Sequence, residues 1–272
     1  MVIALALVLT IVSTCAVNLG YLLQHDVASS LPPLSLRRPI VSVRSLLRER
    51  RWLIGSAVQA GGFVLYVVAL ALAPLSLVQA VAAGGIGILA VMVSRITHVP
   101  LTALERVGVV VSVAGLALLG LSLLSAHGTG SGASYARVGL WLGASAVGAA
   151  MCIALLARTI GRGPAWGIGA GILFAAGDVA TKMTVNGGVA NVAFLVCLIV
   201  LYGAGTAVLQ AAFQRGSALT TAGLSTLLTN ALPIVAGTVL FHERLPSGPV
   251  GVVRVSAFAA VVAGAVLLAA RT

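Results

Sequence analysis

Acidic side chains are scarce in this chain: Asp and Glu number 5 against 16 Lys and Arg in 272 residues, a formal net charge of +11. Charged residues of either sign make up only 8% of it, apolar residues 60%, and the mean hydropathy is +1.15. A soluble domain carries about 25% charged residues, so this shortage excludes one, and the apolar excess excludes a disordered chain. Cysteine is equally sparse. Cys15, Cys152 and Cys197 stand alone in apolar runs without a CxxC pattern or a neighbouring histidine, which excludes a disulfide frame and a thiolate metal site. There is no nucleophile-base pair, metal cluster or phosphate-binding loop, so the sequence offers no enzyme chemistry and calls for no cofactor. The excess of positive charge does not point to nucleic acid either. Six of the sixteen basic residues sit in one loop and most others flank apolar runs, which is the pattern that sets membrane orientation.

What remains is apolar sequence in lengths that cross a bilayer, where about 20 helical residues span roughly 30 Å of hydrocarbon. The spacing predicts an all-α polytopic membrane protein with about nine transmembrane helices. The spans fall near 2–24, 52–73, 76–94, 105–124, 137–157, 165–185, 191–213, 218–241 and 249–270. The first run has no basic leader and is read as a retained span, not a signal peptide. A basic loop over 25–51 holds Arg37, Arg38, Arg44, Arg48, Arg50 and Arg51. Arg44, Arg48 and Arg51 share a helical face with Val43, Leu46 and Leu47 apolar, so the loop reads either as a surface helix on anionic lipid headgroups or as a solvated basic loop. Nine spans put the termini on opposite sides. With this loop inside, the N-terminus is outside the plasma (inner) membrane and the C-terminus cytoplasmic, and twelve of the sixteen basic residues are inside.

Within this apolar background the stretch Trp166 to Val185 carries Asp178 and Lys182, an acid and a lysine at i, i+4 spacing inside one span. A charge at the centre of a membrane helix costs about 2.5–3.5 kcal/mol on insertion scales. Two readings follow: the pair belongs to a polar site in the bundle, or Lys182 snorkels to the surface and neutralises Asp178 as a purely structural pair. The chain also matches itself. AVNLGYLL aligns with AGDVATKM, placing Asn18 opposite Asp178; ITHVPL aligns with FHERLP, and VVSVAGLALL with AAVVAGAVLL. The correspondences define a first repeat over 1–125, a linker span within 126–163 and a second repeat over 164–272. Four spans per repeat and one helix between them make the second repeat enter the membrane from the opposite side. Two inverted four-helix repeats joined by one linker helix are an architecture of secondary transporters, whose sites lie near mid-membrane between the repeats.

The segment LSTLLTNALPIVAGTVLFHERL at 224–245 resembles the EamA-type signature of the drug/metabolite transporter superfamily, with Pro233, Glu243, Arg244, Leu245, Ala263 and Gly264 at its marked positions. RRWLIGSAVQAGGFVLYVVALALAPLSLVQAV and DVATK are similar to bacterial relatives of NIPA-type magnesium transporters. The resemblance covers nearly the whole chain and implies the inverted-repeat fold and transport. It departs from the NIPA pattern where Gln59, Gly62 and His98 replace acidic or amide residues.

Candidate substrate-binding positions are Asp178, Lys182, Asn18, Tyr21, Gln59, Tyr66, Gln79, Tyr202, Gln210, Asn230 and Pro233, polar or helix-breaking groups within spans that either bind substrate or join helices. Pro233 removes a backbone donor and is expected to kink or unwind its span. Glycine pairs Gly139/Gly143 and Gly167/Gly171 fit small-xxx-small packing. The leading expectation is a secondary transporter of a small metabolite or amphiphile. The alternatives are a flippase for a lipid-linked substrate, a Mg²⁺ carrier, for which one acid is thin support, and a non-transporting scaffold that pairs as a homodimer through its glycine faces.

Overall fold

The computed structural model describes residues 2–32, 39–72, 82, 85–98, 100–124, 133–185, 192–240 and 249–269. These form helices α1 (Val2–Ser30), α2 (Pro39–Leu47), α3 (Arg50–Leu72), α4 (Gly85–Thr97), α5 (Ala103–Leu124), α6 (Tyr135–Leu156), α7 (Arg162–Val185), α8 (Val192–Phe213), α9 (Ala218–Leu240) and α10 (Pro249–Ala269), with no strand among the described residues. Among the described residues five stretches are long and apolar enough to cross a membrane: Ala4–Ser30, Arg50–Ala69, Tyr135–Leu156, Val192–Phe213 and Ala218–Gly237. Gly87–Ile96 and Pro249–Gly264 are shorter apolar helices. The protein is therefore an all-helical, polytopic membrane protein.

Helix α7 has 24 residues, ample for a span, yet it is not one of those five. Its composition supplies the reason, since Asp178, Lys182 and five glycines dilute the apolar run, and burial makes that composition tolerable. Ala165, Ala170, Ala175, Ala176, Val179 and Ala180 are hidden among α6, α8 and α9, so α7 shows lipid little and needs no bulky apolar coat. Helix α6 is the reverse, with Leu140, Val147, Met151 and Leu155 more than half exposed. Gly167 and Gly171 make the close approach of α7 to α9 possible: a Cβ on either would stand 2.7 Å from the carbonyl oxygen of Thr221 or Ser225. Gly139 and Gly143 of α6, expected to pack in the same way, meet nothing within 4 Å. Spacing alone could not separate a buried glycine pair from an outward-facing one.

Helix α1 packs along α3, α7 along α8, and α5 along α10. The last contact is reciprocal. A Cβ on Gly115 would lie 2.9 Å from the oxygen of Ala257 and 2.8 Å from the nitrogen of Val261, and one on Gly264 would lie 3.0 Å from the oxygen of Gly108 and 2.9 Å from the nitrogen of Ser112. The alignment that matches Gly115 to Gly264 also matches Gly108 to Ala257 and Ser112 to Val261.

Local chemistry sets the helix ends. Thr102 and Glu105 form a capping box at the start of α5, with Thr102 N–H on Glu105 Oε2 at 2.8 Å and Glu105 N–H on Thr102 Oγ1 at 3.2 Å. Ser217 caps α9 through its Oγ, which accepts from the Thr220 N–H at 3.2 Å. Helix α1 runs six residues past its expected end at 24, because Gln24, His25 and Asp26 are taken up by partners. Gln214 Nε2 donates to the Ala28 carbonyl at 2.9 Å, His25 Nε2 lies 3.1 Å from the Gly216 oxygen, and Asp26 pairs with Arg51 at 2.7 Å.

The basic segment departs from its expected form. α2 stops at Leu47 and α3 begins at Arg50, so the continuous face that was to carry Arg44, Arg48 and Arg51 is broken at Arg48 and Glu49. Arg51 turns instead to Asp26 of α1. Leu46 is buried, while Val41, Val43 and Leu47 are about half exposed or more. Arg37 and Arg38 lie outside the described residues. Arg215, in the turn between α8 and α9, sits 4.6 Å above the Trp166 ring and bonds the Ala211 carbonyl. Burial, then the like charge of Arg162, lowers its pKa below the usual guanidinium value.

Candidate functional site

A cavity of about 570 Å³ lies among α1, α3, α7, α8 and α9 and reaches Gly85 of α4. Each wall supplies residues at helical spacing. On α3 these are Trp52, Ser56, Gln59, Phe63 and Tyr66; on α1, Thr14, Asn18 and Tyr21; on α7, Phe174, Asp178 and Thr181. Steps of three and four residues keep a helix face turned inward, which explains why so few side chains define the space.

Asp178 lies at the meeting of α7 and α8. Tyr202 donates its hydroxyl to Asp178 Oδ1 at 2.5 Å, a charge-assisted bond that partly compensates for removing the carboxylate from water. The side chain stays partly open to the cavity. Around it stand aromatic rings. Phe63 of α3 meets Tyr202 edge-on at 6.1 Å and stacks with Tyr66 at 6.4 Å; Phe174 lies 5.7 Å from Tyr202. Across the cavity Tyr21 faces the Gln59 amide.

Asn18 is 2% exposed. Its Nδ2 donates to the Thr14 carbonyl at 2.8 Å and to the Gly85 carbonyl at 3.1 Å, while its Oδ1 has no partner. Two donor contacts to carbonyls fix which end of the amide is the nitrogen.

One end of the cavity carries a chain of side-chain hydrogen bonds. Trp52 Nε1 donates to Gln210 Oε1 at 3.1 Å, Gln210 Nε2 to Gln24 Oε1 at 2.6 Å, and Gln24 Nε2 to Gln59 Oε1 at 2.5 Å. The chain ties α3, α8 and α1 together next to the docking of α1 on the α8–α9 turn. Gln24 to Ser13, the farthest lining residues along α1, span about 17 Å at 1.5 Å per residue.

Seven of the expected positions line this one space: Asn18, Tyr21, Gln59, Tyr66, Asp178, Tyr202 and Asn230. Gln210 is buried and acts by joining helices. Pro233 is not among the described lining residues, and α9 continues through it as helix without unwinding. Its missing N–H leaves the carbonyl of Thr229, a lining residue, without its helical donor. Gln79 and the side chain of Lys182 lie outside the described residues, as do Glu243 and Arg244. Sequence reasoning missed Gln24 and Trp52 as lining residues, together with the aromatics Phe63 and Phe174. The four- and three-residue steps from Trp52 to Tyr66 were the signal that would have found those on α3. Among the described residues no group of three or more His, Cys, Asp or Glu is placed to hold a metal ion.

The chain is similar to a probable magnesium transporter, NIPA9, of Arabidopsis thaliana, at 27% identity over 265 residues, covering 89% of this chain and 75% of the relative. No protein-family model matches, and no solved structure matches significantly, so the EamA-type resemblance has no counterpart there.

Proposed function

We propose that the protein is a secondary transporter that moves a small organic molecule through this cavity by rocking two inverted repeats, 1–125 and 164–272, about it. The observation that carries the reading is the meeting of Asn18 and Asp178, positions that the internal alignment pairs, on the walls of a single cavity between the halves. The reciprocal α5–α10 contact supports the same two-fold relation, because symmetry makes a patch its own partner. Similarity over most of the chain to a protein named as a transporter supports transport. The positive-inside pattern favours a cytoplasmic end at Gln24 and Trp52, where Arg44 and Arg48 of the neighbouring segment would face anionic headgroups.

The test is alternating access. In a background with Cys15, Cys152 and Cys197 replaced by Ala, a cysteine at Thr181 in oriented proteoliposomes should react with impermeant thiol reagents from either side. A reagent reaching it from one side only under every condition would leave a static scaffold as the better account.

The relative's name favours a second reading, Mg²⁺ as the transported substrate. Mg²⁺ holds several waters and asks for one or two carboxylates, and the described lining supplies Asp178 alone. Uptake of Mg²⁺ by proteoliposomes that Asp178→Asn abolishes would establish it.

A further inference from the structure

The hydrogen-bond polarity of the cavity names a class of ligand. Ser13 donates its hydroxyl to the Gly62 carbonyl at 2.6 Å, Thr181 to Gly177 at 2.8 Å and Thr229 to Ser225 at 2.9 Å. Asn230 commits its Nδ2 to the Thr226 carbonyl at 2.8 Å, and Asn18 commits its own to two carbonyls. The Tyr202 proton is spent on Asp178. Ser13, Thr181, Thr229 and Tyr202 have given the protein their one hydroxyl proton, Asn18 both amide protons and Asn230 one of two. Apart from that second Asn230 N–H and the Ser56 hydroxyl, what these positions offer a ligand is lone pairs: the Asn18 Oδ1 that has no partner, the amide and hydroxyl oxygens of Asn230, Thr181 and Thr229, and the carboxylate of Asp178. Beside them stand the rings of Phe63, Phe174 and Tyr202, whose faces attract cations and whose bulk favours carbon.

We propose that the cavity takes a protonated primary or secondary amine carrying an apolar or aromatic body, its N–H groups shared between Asp178 and the neutral acceptors. This rests on the transport reading for its physiological meaning, but binding can be read without transport. A quaternary ammonium offers the charge without a donor and leaves the acceptors unsatisfied. A carboxylate or phosphate ligand would meet lone pairs at these positions. Hydrated Mg²⁺ brings donors but gains nothing from the aromatic walls, and the volume of about 570 Å³ suits an organic ligand.

Binding to the purified full chain in lipid nanodiscs, followed by thermal stability and Trp fluorescence, tests the proposal with phenylethylammonium, its N,N,N-trimethyl counterpart, phenylacetate and Mg²⁺. Phenylethylammonium should bind at least about tenfold more tightly than the trimethyl compound, phenylacetate should not bind, and Asp178→Asn should weaken the amine by about tenfold or more. Asn18→Leu, which keeps the charge and removes the neutral acceptor, should narrow the gap between the primary and quaternary compounds. Equal or tighter binding of the trimethyl compound overturns the proposal, as does Mg²⁺ binding without amine binding. Failure of the amine on wild type with recovery in Lys182→Met also overturns it, because the ammonium at Asp178 would then be the chain's own. None of these outcomes touches the thiol-accessibility result, so the ligand class and the transport reading fail separately.

Discussion

The two long walls of the cavity are built alike and charged differently. On the first, α1 and α3 bring a tyrosine, Tyr21, against a neutral amide, Gln59; on the second, α7 and α8 bring a tyrosine, Tyr202, against a carboxylate, Asp178. The aligned positions Asn18 and Asp178 differ by one functional group, an amide for an acid. An acid at both positions would place two carboxylates in one low-dielectric space, where each raises the cost of the other. One acid and one amide keep the paired shape and give the cavity a charged side and a neutral side. A monovalent cation is then matched, and a divalent one is half compensated.

Making the walls alike is the strongest way to break the comparison. Asp178→Asn preserves shape, since the new Oδ1 still accepts from Tyr202, yet removes the charge; a cation transporter should lose about 100-fold in uptake, corresponding to a charged contact of ~2–3 kcal/mol, while thermal stability holds or rises. Asn18→Asp makes the walls alike in the other sense and should shift preference toward divalent cations in competition assays. Unchanged uptake in Asp178→Asn would reduce the carboxylate to a structural group. The next effect concerns packing. Gly171→Val places a Cβ 2.7 Å from the Ser225 carbonyl of α9, backbone that cannot step aside, and should cost about 1–3 kcal/mol in detergent unfolding. In the first half, Gly62→Ala on α3 meets the Ser13 oxygen and the Val17 side chain at 3.0 Å and should cost less, while Gly143→Ala on α6 meets nothing and should fall within about 0.5 kcal/mol of wild type.

The sequence carried the helical membrane fold plainly, because apolar length is a one-dimensional property. It carried much of the cavity lining as well. Asn18, Tyr21, Gln59, Tyr66, Asp178, Tyr202 and Asn230 are polar groups in spans, where polarity needs a partner or a cavity, and all reach the same space. Phe63 and Phe174 were invisible, since an aromatic in an apolar run looks the same facing lipid or a cavity. Gln210 was visible, but its role was not: whether an amide lines a cavity or joins α8 to α1 depends on which helix lies beside it. The α6 glycines failed for a related reason. A small-residue pair records that close packing is allowed, and only a neighbour decides whether it happens. The break between α2 and α3 escaped because arginine spacing was read across a helix that ends at Leu47.

The bonds between the halves sit at the end of the cavity marked by Gln24 and Trp52, and two of its contacts make a graded test. Gln210 is 1% exposed and holds both Trp52 and Gln24; Gln210→Leu leaves the indole N–H and the Gln24 amide oxygen without their partner, for about 1–3 kcal/mol of stability. It should also make a cysteine at Ser56 react faster with thiol reagents from that face, because the chain of amides no longer spans α1, α3 and α8. Asp26 and Arg51, at the same end, join α1 to α3 within the first half, with side chains 62% and 72% exposed. Water already solvates both, so Asp26→Asn should change stability by less than about 1 kcal/mol and leave Ser56 reactivity unchanged. A larger effect from Asp26 than from Gln210 would move the connection between the halves from the buried amides to the exposed ion pair.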